Sequence, residues 1–214
     1  MGYLSIGLQV QLFRWFLVLL FAVACVAVAP AQTVVRVEED WEMVVGEPDP
    51  AADAPQVTCV ISPHGNVDGI YATFELNHRN TPDFAAGGLQ FEVWQDETAL
   101  HERKFPDQSA LATQGEVVSW TQSMTLEEGN LIFEITAGSS TTWGNFGGQG
   151  YLKFIMNASM ANLNTYNPDV SVANSGVSYA ANRVQSLTLK RIRLHTSDGT
   201  VVEMATSRVI HSLD

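Results

Sequence analysis

Cysteine is nearly absent from this chain: 214 residues hold only Cys25 and Cys59. A disulfide framework is therefore excluded, and so is a zinc site built on cysteine pairs. Basic residues are also scarce, 11 Lys and Arg against 23 Asp and Glu, for a net charge of −12. A nucleic-acid binder needs a basic face to displace counterions from phosphates, so that class is set aside. Docking on an anionic membrane by charge is disfavoured for the same reason. The five histidines, His64, His78, His101, His195 and His211, are scattered, with no HExxH pair. No GxSxG elbow and no phosphate-cradling loop with its lysine occur. No window of ten residues spaces its apolar positions as a helix does. The chain is not disordered in type, since 46% of it is apolar and only 16% charged.

What is present begins with an address. Trp15 to Ala29 reads WFLVLLFAVACVAVA, an unbroken apolar run behind Arg14, and Ala29-Pro30-Ala31 supplies small residues for cleavage. This matches a secretory signal peptide, and the run is shorter than the roughly 20 residues a bilayer span needs. An uncleaved anchor and a lipoprotein processed at Cys25 are the other readings. The apolar run continues past Cys25 without the usual leucine before it. The expected organisation is a signal peptide over 1–31, an acidic N-terminal segment and Pro-rich loop over 32–55, and a β-sandwich domain over 56–214. The expected location is secreted, periplasmic or at the cell surface, with no membrane span after cleavage. Cleavage leaves Cys59 as the sole thiol. It sits in the strand-like run Val57–Ile61 and reads as a small buried hydrophobe. The sharper readings, an intermolecular disulfide or a nucleophile, have only His64 nearby in their favour.

The remainder alternates with period two. Ile70, Ala72, Phe74 and Leu76 fall on one face, with Tyr71, Thr73, Glu75 and Asn77 on the other. Leu89, Phe91 and Val93 alternate with Gln90, Glu92 and Trp94. Asp96-Glu97 reads as a tight turn into Thr98–Phe105, a stretch that fits a strand or one short helix. Val117–Leu126 and Leu131–Thr136 flank Glu127–Asn130, read as a four-residue hairpin loop. Tyr151–Ala158 is a further strand. Val184–His195 alternates through a bulge at Lys190-Arg191, and Ser197-Asp198-Gly199 turns the chain into Val201–Ile210. Val34–Val45 mixes valines with acids around Trp41 and reads as an edge strand. The fold class implied is all-β: about nine or ten strands in a two-sheet antiparallel sandwich, jelly-roll-like by preference.

Candidate chemistry is sparse. Ala137–Gly150, AGSSTTWGNFGGQG, gathers aromatics among glycines. Trp143, Asn145, Phe146 and Tyr151, with Trp94, are the candidate ligand-binding residues: aromatic faces stack on sugar rings while amides and hydroxyls bond sugar hydroxyls. The competing reading folds Trp143 and Phe146 inward as a plug, as large aromatics usually are. A glycosidase needs two carboxylates about 5–10 Å apart in a cleft. Glu75, Glu92 and Glu134 are candidates on one concave sheet, and Asp40-Trp41-Glu42 reads as a solvated acidic segment. No metal ligand set or catalytic residue is assigned and no cofactor is required; calcium has only Asn66–Gly69 or Glu47–Asp53 to draw on. Asn157-Ala158-Ser159 fits a glycosylation sequon within a strand. Lys190, Arg191 and Arg193 are the one basic cluster and could meet the acidic N-terminal segment, within one chain or across two.

Four phrases, VEEDWE (Val37–Glu42), QVTCVISP (Gln56–Pro63), STTWGNFGG (Ser140–Gly148) and NRVQSL (Asn182–Leu187), resemble a group of secreted planctomycete-type bacterial proteins of uncharacterised function. The resemblance implies bacterial export, which argues against use of the sequon, and it carries no active-site residues. Three functions follow as expectations. The first is an exported, non-enzymatic sandwich acting as a surface, envelope or assembly component, with self-association through edge strands. The second is a carbohydrate-binding module, and the third a glycoside-active enzyme.

Overall fold

A computed structural model describes residues 32–46, 55–76, 88–105, 111, 113–204 and 207–213, without the side chains of 104–105. The expected signal peptide with Cys25, and also His78 and the acidic loop Glu47–Asp53, lie outside the described residues.

Among the described residues the alternating segments form thirteen strands. They are β1 (Val34–Val45), β2 (Gln56–Ile61), β3 (Ile70–Leu76), β4 (Leu89–Gln95), β5 (Thr98–Phe105), β6 (Val117–Glu127) and β7 (Asn130–Ser140). There follow β8 (Gly144–Phe146), β9 (Lys153–Asn157), helix α1 (Pro168–Asn174), β10 (Gly176–Tyr179), β11 (Val184–Thr196), β12 (Val201–Met204) and β13 (Arg208–Ser212). Sheet I has eight strands in the order β12–β11–β1–β6–β7–β8, with β13 also on β11 and β9 also on β7. Sheet II has five, β10–β2–β3–β4–β5. All pairings are antiparallel. The molecule is thus the all-β, two-sheet sandwich that the alternation implies, not closed into a barrel. The chain lays down β1, crosses to sheet II for the meander β2–β5, returns for β6–β9, and visits sheet II once more as β10 before ending in sheet I.

Inward residues of both sheets make one core. Trp41 on β1 stacks on Trp120 of β6, ring centroids 6.2 Å apart and planes 4° from parallel. Phe74 of β3 meets Phe91, Trp120 and Phe146, so one ring links both sheets. Each such fully buried side chain contributes about 1.5–3 kcal/mol.

Three local expectations change. Val34–Val45 is no edge strand: β1 lies inside sheet I, paired to β11 on one side and β6 on the other. It therefore belongs to the body of the sandwich. The β6–β7 loop is two residues rather than four, Glu128 and Gly129, both at positive φ (49° and 78°). That is the conformation a tight hairpin turn matched to strand twist requires. A short helix does occur, α1, capped by the Asn167 side chain on the Asp169 amide with Pro168 in its first turn. Thr98–Phe105 resolves as a strand, and the register break opposite Asp40/Trp41 leaves Lys190 as the expected bulge. No helix among the described residues is long and apolar enough to cross a membrane.

Candidate functional site

The glycine-rich segment folds inward. Phe146 is 3% exposed and lies against Phe74. Its ring occupies the place a β-carbon on Gly138 would take, 2.0 Å away, so glycine at 138 is what lets it in. Trp143 is half-buried and meets Phe146 edge-on at 6.1 Å. The Tyr151 hydroxyl accepts the Gly147 amide at 2.8 Å. Phe146 has no face for a ligand, and Trp143 and Tyr151 are partly buried against the same core. Asn145 parts from them: it is exposed on β8, opposite Ser139, and lines an open groove on the outer face of sheet I.

That groove, of about 480 Å³, runs between Ser119, Thr121 and Ser139 on one wall and Asp40, Glu42 and Lys190 on the other. Its charged wall is a cross-strand ladder. Arg193 donates to both oxygens of Asp40, at 2.8 and 3.0 Å, and through Nε to Glu38 at 2.7 Å. Arg191 donates to Asp40 at 2.7 Å and Lys190 to Glu42 at 3.0 Å. His195 lies 3.0 Å from Glu38, which Arg36 also pairs. The basic cluster thus meets the acidic segment within one chain. Burial pushes Glu38 up, but the hydrogen bonds of Arg193 and His195 and the Arg36 charge prevail and hold its carboxyl at about 2.

One position inward, Glu39 is fully buried. Its carboxylate accepts four hydrogen bonds: Ser171 Oγ at 2.6 Å, Tyr166 OH at 2.7 Å, Gln122 Nε2 at 2.7 Å and Trp41 Nε1 at 3.0 Å. Gln122 also donates to the Val60 carbonyl of sheet II. Glu39 therefore fastens α1, its preceding loop and both sheets at one point. Burial nevertheless raises its pKa. Cys59 is fully buried beside this network; burial and the Glu39 charge push its thiol well up, which leaves it protonated and unreactive.

The outer face of sheet II is different. Tyr71, Thr73 and Glu75 of β3 stand beside Gln90, Glu92 and Trp94 of β4 and Glu102 of β5. The Tyr71 and Trp94 rings are half-exposed and parallel to within 8°, centroids 6.5 Å apart. Trp94 Nε1 donates to Thr73 Oγ1 and Glu92 Oε2, both at 3.2 Å. Glu92 is 7% exposed, and burial, then the charges of Glu75 and Glu102, raise it to about 7. Gln90 is 2% exposed, and its Oε1 has no hydrogen-bond partner among the described residues. Of the three glutamates expected on one sheet, Glu75 and Glu92 share this face. Glu134 does not: it lies on β7 of sheet I, 3.4 Å from Lys153. Sequence reasoning did not pair Tyr71 with Trp94, although their parity on successive strands was the available signal. Among the described residues no three His, Cys, Asp or Glu side chains converge as a metal ligand set.

No family model matches this chain, and no curated protein is similar to it at a significant level.

Proposed function

We propose that the chain is an exported, non-enzymatic β-sandwich protein of the cell surface or envelope, and that the outer face of sheet II binds a glycan. Export rests on the pattern from Arg14 to Ala31 and on the resemblance to secreted bacterial proteins. The supporting observation for the ligand is the Tyr71–Trp94 ring pair, half-exposed and flanked by Thr73 and Glu92. Sugar C–H groups pack on aromatic faces, and sugar hydroxyls bond to oxygens placed beside them. Trp94 is thus the working member of the sequence candidates, and the Trp143 loop serves as a plug. A glycan array probed with the purified protein and with Trp94→Ala tests this. The expected result is a bound glycan whose affinity drops about tenfold in the variant. Absence of any bound glycan, or binding that survives the substitution, removes the proposal.

One observation favours a glycoside-active enzyme as the second reading. Glu92 is poised at about 7, and Glu75 is its diagonal cross-strand neighbour, a relation that spans about 7–8 Å between backbones. A raised acid beside a second carboxylate is what glycoside cleavage uses. This reading expects hydrolysis of aryl glycosides that vanishes in Glu92→Gln; a protein inert toward every such substrate leaves binding alone.

A further inference from the structure

Along one side of the sandwich, strand β5 of sheet II adjoins β9 of sheet I around a single ring. Phe154 of β9 packs on Phe91 in the core and on His101 at the surface, each at 5.5 Å between centroids, with His101 within 20° of parallel. The Arg103 guanidinium lies 5.7 Å from the same ring's centroid. Lys153 follows from β9, with Glu134 at 3.4 Å from its Nζ. His101, Arg103, Lys153 and Phe154 line an open groove of about 450 Å³ together with Glu102, Gly150 and Ile155.

A cation without an acid partner is the unusual part. In a chain of net charge −12, the cations of the sheet I face are spent on acids: Arg36 and Arg193 on Glu38, Arg191 on Asp40, Lys190 on Glu42. Arg208 is spent on Asp169, and Lys153 in the groove itself on Glu134. Arg103 makes no ion pair among the described residues; it is exposed and steadied only by the Phe154 face. Glu102, the one acid in the lining, is hydrogen-bonded to Glu92 on the outer face of sheet II. A guanidinium held this way presents a planar fork of donors, which fits a carboxylate bidentately. His101 is exposed, so while one face of its ring lies on Phe154, the other is open beside that fork. An open ring face and a fork together favour a ring that offers a face and bears an acid over a bare anion.

We propose that this groove binds a carboxylate carried on a ring, as in a uronic acid, with Arg103 taking the carboxylate and His101 packing on the ring. The site is separate from the Tyr71–Trp94 face and does not rest on it. Its test follows the His101 ring signals by NMR while the purified protein is titrated with galacturonate, galactose or inorganic phosphate. Galacturonate is expected to move them saturably, with galactose and phosphate at least about tenfold weaker. Arg103→Ala is expected to weaken galacturonate about tenfold. Arg103→Lys, which keeps charge without the fork, falls between, and Trp94→Ala changes nothing. Silent His101 signals overturn the proposal. So does galacturonate binding that persists in Arg103→Ala, or phosphate binding as tight as galacturonate, since the groove would then read charge alone.

Discussion

Glu38 and Glu39 are neighbours in the chain and opposites in environment, because successive strand residues face opposite ways. Glu38 faces out into the ladder and is held at about 2; Glu39 faces in and is raised by burial despite four donors. The inward placement was legible: Val37, Glu39, Trp41, Met43 and Val45 share one parity. Taking Val34–Val45 for an edge strand hid it. Tyr166 and Ser171 were not legible as its partners, since they lie 127 and 132 residues away and only the folded path brings them there. Glu92 gives the residue-scale prediction. Its folded pKa of about 7 stands above the ordinary 4.5, so the fold binds this proton more tightly than the unfolded chain does. The resulting stability is complete below about 4.5 and is lost as pH rises through about 7. Urea titrations at pH 5 and pH 8 should show Glu92→Gln losing less stability across that interval than the wild type, by about 1–2 kcal/mol. Equal losses in the two proteins would mean that Glu92 titrates normally.

At the scale of elements, alternation located the strands well because each has one buried face, which fixes period and register together. The jump from edge to interior for β1 was beyond it, since sheet order depends on partners far along the chain: β11 and β6 flank β1 from opposite directions. Helix α1 escaped a search for apolar periodicity because seven residues hold barely two turns. Its cap, Asn167-Pro168-Asp169, was the better signal. The β6–β7 hairpin shows local chemistry yielding to topology. Its turn needs positive φ at both residues, and Glu128 complies at 49° with a side chain poorly suited to that region. Asparagine followed by glycine is the favoured pair for this turn. Glu128→Asn should therefore raise the unfolding free energy by about 0.5–1 kcal/mol. The check is a higher denaturant midpoint at unchanged slope; a lower midpoint would mean that Glu128 makes a contact worth more than its strain.

For the molecule as a whole, charge is sorted by face. The outer face of sheet I neutralises itself across β1 and β11, which leaves the net −12 to carboxylates spread elsewhere. The two populations respond differently to salt. Ladder pairs are partly shielded from solvent, the Arg193 and Asp40 side chains being 19% and 18% exposed, so ions screen them little. Repulsion among the dispersed carboxylates crosses solvent and fades as the Debye length shrinks from about 10 Å at 0.1 M to about 3 Å at 1 M. Self-repulsion destabilises a compact state, so its relief should outweigh the weakening of the ladder. Raising sodium chloride from about 0.02 M to about 0.5 M is expected to lift the melting temperature by about 2–4 °C, the shift that 1 kcal/mol gives at this size. Arg193→Gln supplies the internal comparison. It leaves Glu38 without its strongest partner and strips Asp40 of two of its hydrogen bonds, adding carboxylates to the repelling population, so this variant should melt lower yet gain more from salt than the wild type. A wild-type melting temperature that falls with salt would mean that the ladder carries more of the fold's stability than the dispersed charge takes away.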